Sequence, residues 1–320
     1  MCIDNAEKLS KIVNKYSEKN NCDCLLFSGG IDTSFILTSL DIKPKTISVL
    51  FRDSKDEEYI NYATKKLNIK NYKIFISNEE EVNDCLKIVL KVLNTIDPIE
   101  VISGISVCMG LKEAKKLGCN CVLTGDGGDE LYFGYDFLLN KSENYLNNWL
   151  KNVVKNAFFN SVPISQYLNI KTVLPLFSDE SKELSFKIQT KCKINKINGK
   201  KFGKYFMRLW LIDKGLDFIG LREKTPITSG TGSEILLKYW KVKVNIYELK
   251  EYKEKYKINF PSLSHLYLFK KGLELNLFNN ELENKSKYNS CPICGHELKG
   301  NFCKFCGAYI NNNVSVYRDF

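Results

Sequence analysis

Apolar positions Ile3, Leu9, Ile12, Val13 and Tyr16 recur at roughly helical spacing, which predicts an amphipathic helix over residues 3–20. A short apolar run over 23–27 then stops at Ser28-Gly29-Gly30, so helix, strand and glycine loop follow one another. The alternation continues with a helix over 32–40, a strand over 46–51, a helix over 56–67, a strand over 72–76 and a helix over 79–93. A further helix ends near Gly118, and a strand over 121–124 runs into Gly125-Asp126-Gly127-Gly128-Asp129-Glu130. Strands separated by helices need crossover connections, which predicts an α/β fold on a parallel sheet. From about residue 143 to 267 the pattern is mostly helical, and from Asn284 a polar stretch leads into a cysteine-rich tail. Residues 1–283 thus read as one large domain, with 1–140 its α/β part and 141–283 its mainly helical part. Residues 284–320 read as a small appended unit.

At 320 residues, with 44% hydrophobic and 26% charged positions, the composition is that of a globular chain and not of a disordered one. Forty-seven Lys and Arg against 37 Asp and Glu give a net charge of +10, which suits a polyanionic partner such as ATP or RNA. No run approaches 18 uncharged apolar residues and residues 1–20 lack the apolar core of a signal peptide, so the expectation is a cytoplasmic protein with no membrane association. In a reducing compartment its 12 cysteines read as metal ligands or buried thiols before disulfides.

Two motifs carry the chemistry. Ser-Gly-Gly-Ile-Asp-Thr-Ser, residues 28–34, lies between a strand and a helix. Adjacent glycines let backbone N–H groups close around a phosphate, and the helix N-terminus adds partial positive charge. The hydroxyls of Ser28, Thr33 and Ser34 can donate to phosphate oxygens. Asp32 beside an anion makes sense only with a divalent metal between them, so the motif points to a metal-bound nucleotide. The second motif, Thr-Gly-Asp-Gly-Gly-Asp-Glu-Leu-Tyr-Phe-Gly-Tyr over 124–135, also follows a strand and opens a helix. In a parallel sheet both loops reach the crevice at the carboxyl ends of the strands. There Asp129 would pair with Asp32 as ligands of Mg²⁺, which favours carboxylates together with phosphates. Glu130 reads as a helix-start carboxylate.

These two motifs resemble the synthetase domain of asparagine synthetases, within the ATP-pyrophosphatase (PP-loop) group. Tyr167 to Glu180, YLNIKTVLPLFSDE, is similar to that family's G-[IL]-E-x-R-x-P-F-L-D segment, with Lys171 and Thr172 departing from it. Arg222 to Gly232, REKTPITSGTG, is similar to its R-x-K-x-x-x-x-x-G-x-G loop. The ordered similarity covers about residues 23–240.

The resemblance implies an enzyme that uses ATP to activate the β-carboxylate of aspartate as an acyl-adenylate, after which ammonia displaces AMP. It implies that Ser28, Gly29, Gly30, Asp32, Thr33 and Ser34 hold the pyrophosphate, that Leu26 and Val49 flank the adenine, and that Thr124 and Gly125 contact the nucleotide. Asp32 and Asp129 would bind Mg²⁺. Asp126, where many relatives have Glu, would deprotonate or orient the incoming amine. Lys224, with Gly230 and Gly232 following, would neutralise charge on the departing pyrophosphate. Glutamine-dependent relatives carry an amino-terminal glutaminase with a cysteine exposed after Met removal. Cys2 mimics that position, yet 27 residues before Ser28 leave no room for such a domain. Nitrogen is therefore expected from free ammonia, a separate glutaminase or a different nucleophile, and Cys2 reads as an ordinary thiol.

The tail holds Cys291-Pro-Ile-Cys294-Gly and Cys303-Lys-Phe-Cys306-Gly, two knuckles eight residues apart. Four thiolates complete a tetrahedral Zn²⁺ shell, Gly295 and Gly307 permit the positive φ of such turns, and His296 is then not a ligand. A closed shell makes the zinc ribbon structural. Cys22, Cys24, Cys119 and Cys121 read as small buried side chains beside strands, and His265 as structural on a helix. Two functions compete: an amide-forming synthetase acting on aspartate, and a PP-loop enzyme that adenylates a tRNA base, with the basic charge and the ribbon recruiting RNA. TGDGGDE together with Lys224 favours the first.

Overall fold

The computed structural model describes residues 2–278, 289–311 and 313–318. The junction expected at 284 lies outside the described residues. The first half alternates as expected: α1 (Cys2–Lys19), β1 (Cys24–Leu26), α2 (Ile31–Ser39), β2 (Lys45–Phe51), α3 (Asp56–Leu67), β3 (Asn71–Ile76), α4 (Asn83–Leu93), α5 (Pro98–Lys116) and β4 (Cys121–Leu123). A short α6 (Gly128–Leu131), α7 (Glu143–Asn156) and α8 (Ser161–Leu168) lead to β5 (Lys171–Val173). Then come α9 (Asp179–Lys187), α10 (Thr190–Lys193), the hairpin β6 (Asn195–Ile197) and β7 (Lys200–Phe202), α11 (Tyr205–Asp213) and α12 (Asp217–Gly220). Helices α13 (Ile227–Thr231), α14 (Ile235–Lys241), α15 (Ile246–Tyr256) and α16 (Leu263–Glu274) follow.

The main sheet is wholly parallel, in the order β3-β2-β1-β4-β5. Successive strand residues serve opposite faces: Cys24, Ile47 and Val122 belong to one buried cluster, and Leu25, Leu50 and Leu123 to the other. Helices therefore cover both faces, and α5 is apolar nearly all round because it is buried nearly all round. Pro98 at its first turn and the Asp97 carboxylate, which accepts from Ile99 N–H at 3.0 Å, start it. The strand order reverses between β1 and β4, so a crevice opens at their carboxyl ends, where the two glycine loops lie.

Two features differ from the sequence reading. The stretch read as mostly helical supplies the fifth strand of the main sheet, β5, paired with β4 from Cys121↔Lys171 to Leu123↔Val173, as well as the β6–β7 hairpin. Three-residue strands leave no periodicity to detect. The cysteines read as separate buried thiols are paired instead. Because β1 and β4 are neighbours, Cys22 bonds Cys121 and Cys24 bonds Cys119, while Cys2 on α1 bonds Cys192 on α10.

Among the described residues no helix is long and apolar enough to cross a membrane.

Candidate functional site

The first loop is organised by its own side chains. Gly29 has φ +64°, and a Cβ there would lie 2.8 Å from backbone atoms of Tyr59 and Ile60 in α3, so only glycine fits. The Ser28 hydroxyl accepts from Gly30 N–H at 3.3 Å and lies 3.3 Å from the Thr33 hydroxyl. The Ser34 hydroxyl, buried in the first turn of α2, has no hydrogen-bond partner among the described residues. In the second loop Gly125 is pressed against Asp32 and Thr33, where a Cβ would come within 3.1 and 3.0 Å. A Cβ on Gly128 would lie 2.1 Å from Asp32 Oδ1, so glycine is what lets the two loops meet.

Together they border a cavity of about 240 Å³. Its apolar end is formed by Leu26, Ile47, Val49, Val107 and Gly110, with Gly110 close enough to Leu26 that a Cβ would lie 2.8 Å from Leu26 Cδ2. Its polar end is formed by Ser28, Gly30, Asp32, Thr33, Thr124, Gly125 and Asp126 with Lys204, Arg208, Arg222 and Lys224. The expected residues Leu26, Ser28, Gly30, Asp32, Thr33, Val49, Thr124, Gly125, Asp126 and Lys224 thus share one cleft. Gly29, Ser34 and Asp129 lie just behind its surface.

Four charges dominate the polar end. Lys204, 4% exposed, lies 2.7 Å from Asp129 Oδ1 and also pairs with Asp32 Oδ2. Lys224 lies 2.9 Å from Asp129 Oδ2. Burial would raise the Asp129 carboxyl, but the two ammonium groups outweigh it and hold the pKa at about 2. Asp32 touches one ammonium only, and burial, reinforced by the Asp129 charge, pushes it above the usual carboxylate range. Burial opposes the charge on Lys204, yet Asp129 and Asp32 raise its pKa, so the ammonium is retained.

Lys204 is the residue that sequence reasoning missed. It follows the β6–β7 hairpin and precedes α11 with φ +53°, its N–H donating to Tyr132 O at 3.0 Å. Gly203 and Gly134 make room for it: a Cβ on Gly203 would strike Phe133 O at 1.9 Å, and one on Gly134 the Lys204 stem at 2.2 Å. The Gly-Lys pair at the head of a helix is the only signal the sequence offers.

Arg222, which opens the fourth motif without an expected role, is buried and pairs with Asp56. It also donates to Ser28 O at 3.2 Å and lies 4.0 Å above the Tyr59 ring. Arg208 donates to Gly220 O and Arg222 O at 2.9 and 2.6 Å, fixing the loop that delivers Lys224. Also at the polar end, Asp126 Oδ2 accepts from Thr124 at 2.8 Å and Ser161 at 2.5 Å. Burial raises the Asp126 pKa, against the pull of those hydroxyls. Glu130 turns from the cleft and accepts from the Tyr135 hydroxyl.

The family model described as asparagine synthase matches residues 6–202, a span containing both glycine loops and their strands. The chain belongs to the asparagine synthase family. It is 34% identical over 113 residues to the Methanocaldococcus jannaschii protein described as "Putative asparagine synthetase (glutamine-hydrolyzing) 1"; the match covers 35% of this chain and about a fifth, 21%, of that relative. Solved structures are similar at a distance. The U34-tRNA thiolase NcsA of Methanococcus maripaludis, solved with its 4Fe-4S cluster, matches at 12% identity and a TM-score of 0.31 over 94% of this chain and 86% of that one. The NMN synthetase of Francisella tularensis matches at 16% and 0.29 over 58% and 91%. A predicted subunit of tRNA methyltransferase from Methanocaldococcus jannaschii matches at 18% and 0.28 over 60% and 87%.

The tail cysteines form a second centre. All four Sγ atoms lie within 4.8 Å of one another, with Cys291 to Cys306 at 3.7 Å and Cys294 to Cys303 at 3.4 Å. Tetrahedral Zn–S bonds of about 2.3 Å set sulfurs roughly 3.7 Å apart, so the set fits zinc. Gly295 and Gly307 have φ of +79° and +73°, and their N–H groups donate back to Cys291 O and Cys303 O, both at 2.9 Å. His296 stands outside the group, stacked 3.8 Å from the Phe305 ring.

Proposed function

We propose that this member of the asparagine synthase family is an ATP-dependent, amide-forming synthetase that makes asparagine from aspartate. The observation that carries the reading is the convergence of both glycine loops, Lys204 and Lys224 on Asp32 and Asp129 beside an apolar slot of adenine-bordering size. In this reading Leu26 and Val49 flank the base. Backbone N–H groups of Gly29, Gly30 and the start of α2, with the hydroxyls of Ser28, Thr33 and Ser34, hold the phosphates, and Thr124 and Gly125 meet the nucleotide. A substrate carboxylate oxygen attacks the α-phosphorus and pyrophosphate departs, its growing charge met by Lys224 and Lys204. Ammonia, free or from a separate glutaminase, then attacks the acyl carbon and AMP leaves. Asp126, made more basic by burial, takes or orients the amine proton through the oxygen its two hydroxyl donors leave open.

Asp32 and Asp129 would hold Mg²⁺. They fit a cation: one ammonium already bridges both carboxylates, and Asp32 Oδ1 is buried without a hydrogen-bond partner among the described residues. When bound, the ion would supply charge neutralisation on the pyrophosphate. Cys291, Cys294, Cys303 and Cys306 would hold Zn²⁺ as a closed structural centre.

The test is mass-spectrometric product analysis after incubating the protein with ATP, Mg²⁺, aspartate and ammonium. AMP, pyrophosphate and asparagine should appear in equal amounts. AMP formed only when tRNA is added would replace this reading with adenylation of an RNA base.

A further inference from the structure

The four-cysteine tail is bonded to the element that walls the nucleotide cleft. The carbonyl of Phe305, between Cys303 and Cys306, accepts from Ile96 N–H at 2.7 Å and from the Thr95 hydroxyl at 3.0 Å, immediately ahead of α5. Gly307 packs on the Asp97 carboxylate that starts α5: a Cβ there would lie 2.3 Å from its oxygen. The next carbonyl, of Cys306, lies 3.0 Å from His265 Nε2 on α16, and His265 Nδ1 lies 2.6 Å from the Ser262 hydroxyl. About two and a half to three and a half turns along α5 from Asp97, Ser106, Val107 and Gly110 line the cleft, with Gly110 against Leu26. One helix thus has its start held by the second cysteine knuckle and its middle against the cleft. The knuckle's shape depends on what binds its sulfurs, because without a metal the four sulfurs take up protons, lose the bonds that draw them together, and the turns relax.

We propose that metal binding at Cys291, Cys294, Cys303 and Cys306 and ATP binding in the cleft are thermodynamically linked through α5, with Thr95 as the positioning residue that joins them. The proposal rests on the ATP-binding reading above. A close-packed helix shifts as a unit, so a change at its first turn moves the wall formed by Val107 and Gly110. Linkage is reciprocal: the factor by which zinc tightens ATP is the factor by which ATP tightens zinc.

The experiment measures Zn²⁺ affinity by competition with a chromophoric chelator, with and without a non-hydrolysable ATP analogue and corrected for zinc bound by the free analogue. Analogue affinity is measured on zinc-loaded and zinc-stripped protein. The expected result is one shared factor of about fivefold or more. In a second arm that needs no stripped protein, zinc-loaded Thr95→Val should keep one zinc per chain and bind the analogue severalfold more weakly, and Thr95→Ser, which keeps the hydroxyl, should restore it. If the analogue binds the loaded protein but leaves zinc affinity unchanged, or if Thr95→Val binds it as the parent does, the linkage is overturned and the functional reading stands. If the analogue does not bind the loaded protein at all, the functional reading fails first, and the linkage with it.

Discussion

The ammonium of Lys204 lies 2.7 Å from Asp129 and also pairs with Asp32, although 172 residues of chain separate Lys204 from Asp32. Removing it would leave the buried Asp32 without a counterion and Asp129 with Lys224 alone. Lys204→Met should therefore cost about 3–5 kcal/mol of stability, the usual cost of orphaning a buried charge. It should also lower aspartate-dependent exchange of pyrophosphate into ATP by at least about a hundredfold. Denaturant unfolding and the exchange assay read the two effects separately, and an exchange rate within threefold of the parent would remove Lys204 from the machinery.

Asp32→Ala should abolish pyrophosphate release. The substitution leaves Lys204 paired with Asp129, so the protein should stay folded by circular dichroism while the release assay falls to background. A variant that released pyrophosphate at the parental rate would refute the placement of Asp32 in the cleft chemistry.

Arg222 and Asp56 form a buried pair, and the Arg222 guanidinium also donates to Ser28 O and lies over the Tyr59 ring. Arg222→Met alone should destabilise by about 3–5 kcal/mol, whereas Arg222→Met combined with Asp56→Leu should recover much of the loss, because no charge is then left unpaired. A double-mutant cycle in urea checks this, and additive losses would contradict it.

Burial pushes the Glu130 carboxyl up to about 7, against the Tyr135 hydroxyl that donates to it. A raised carboxyl means that the folded chain holds a proton the unfolded chain has lost. This contribution to stability is complete below about pH 4.5 and disappears as pH rises through about 7. Relative to the parent, Glu130→Gln should gain melting temperature between pH 5 and pH 8. A pH-independent difference between the two proteins would show that Glu130 does not titrate in that window.

Three bonded cysteine pairs and six unbonded cysteines predict the thiol count. Protein isolated without reductant, then denatured with a chelator present, should take up six alkyl groups, and all 12 after reduction. Twelve without reduction would return the pairs to free thiols.

The parts of the site that lie next to one another in sequence are legible there. Ser28 to Ser34 and Thr124 to Glu130 each follow a strand and open a helix, which is enough to bring them to one crevice, and the tail cysteines declare themselves by spacing. The parts contributed singly are not. Lys204, Asp56 and Ser161 reach the cleft as isolated side chains from separate elements, and their chemistry arises from burial and partners hundreds of atoms away along the chain. Strand β5 escapes notice because Lys171-Thr172-Val173 is too short to alternate visibly, and the cysteine pairs because only the β1–β4 neighbour relation sets them opposite each other.

The route of the chain through the sheet also orders its assembly on the ribosome. Strands β1 to β4 can pair early, but the carboxylates at their ends meet Lys204 and Lys224 only after those residues have been synthesised. Until then a nascent chain carries Asp32 and Asp129 without counterions, and closing them in would cost more than leaving them wet. The cleft therefore stays wet at least until Lys224 has been synthesised. Slow translation between β4 and α11 would prolong an open, protease-sensitive intermediate in which only strands β1 to β4 are paired.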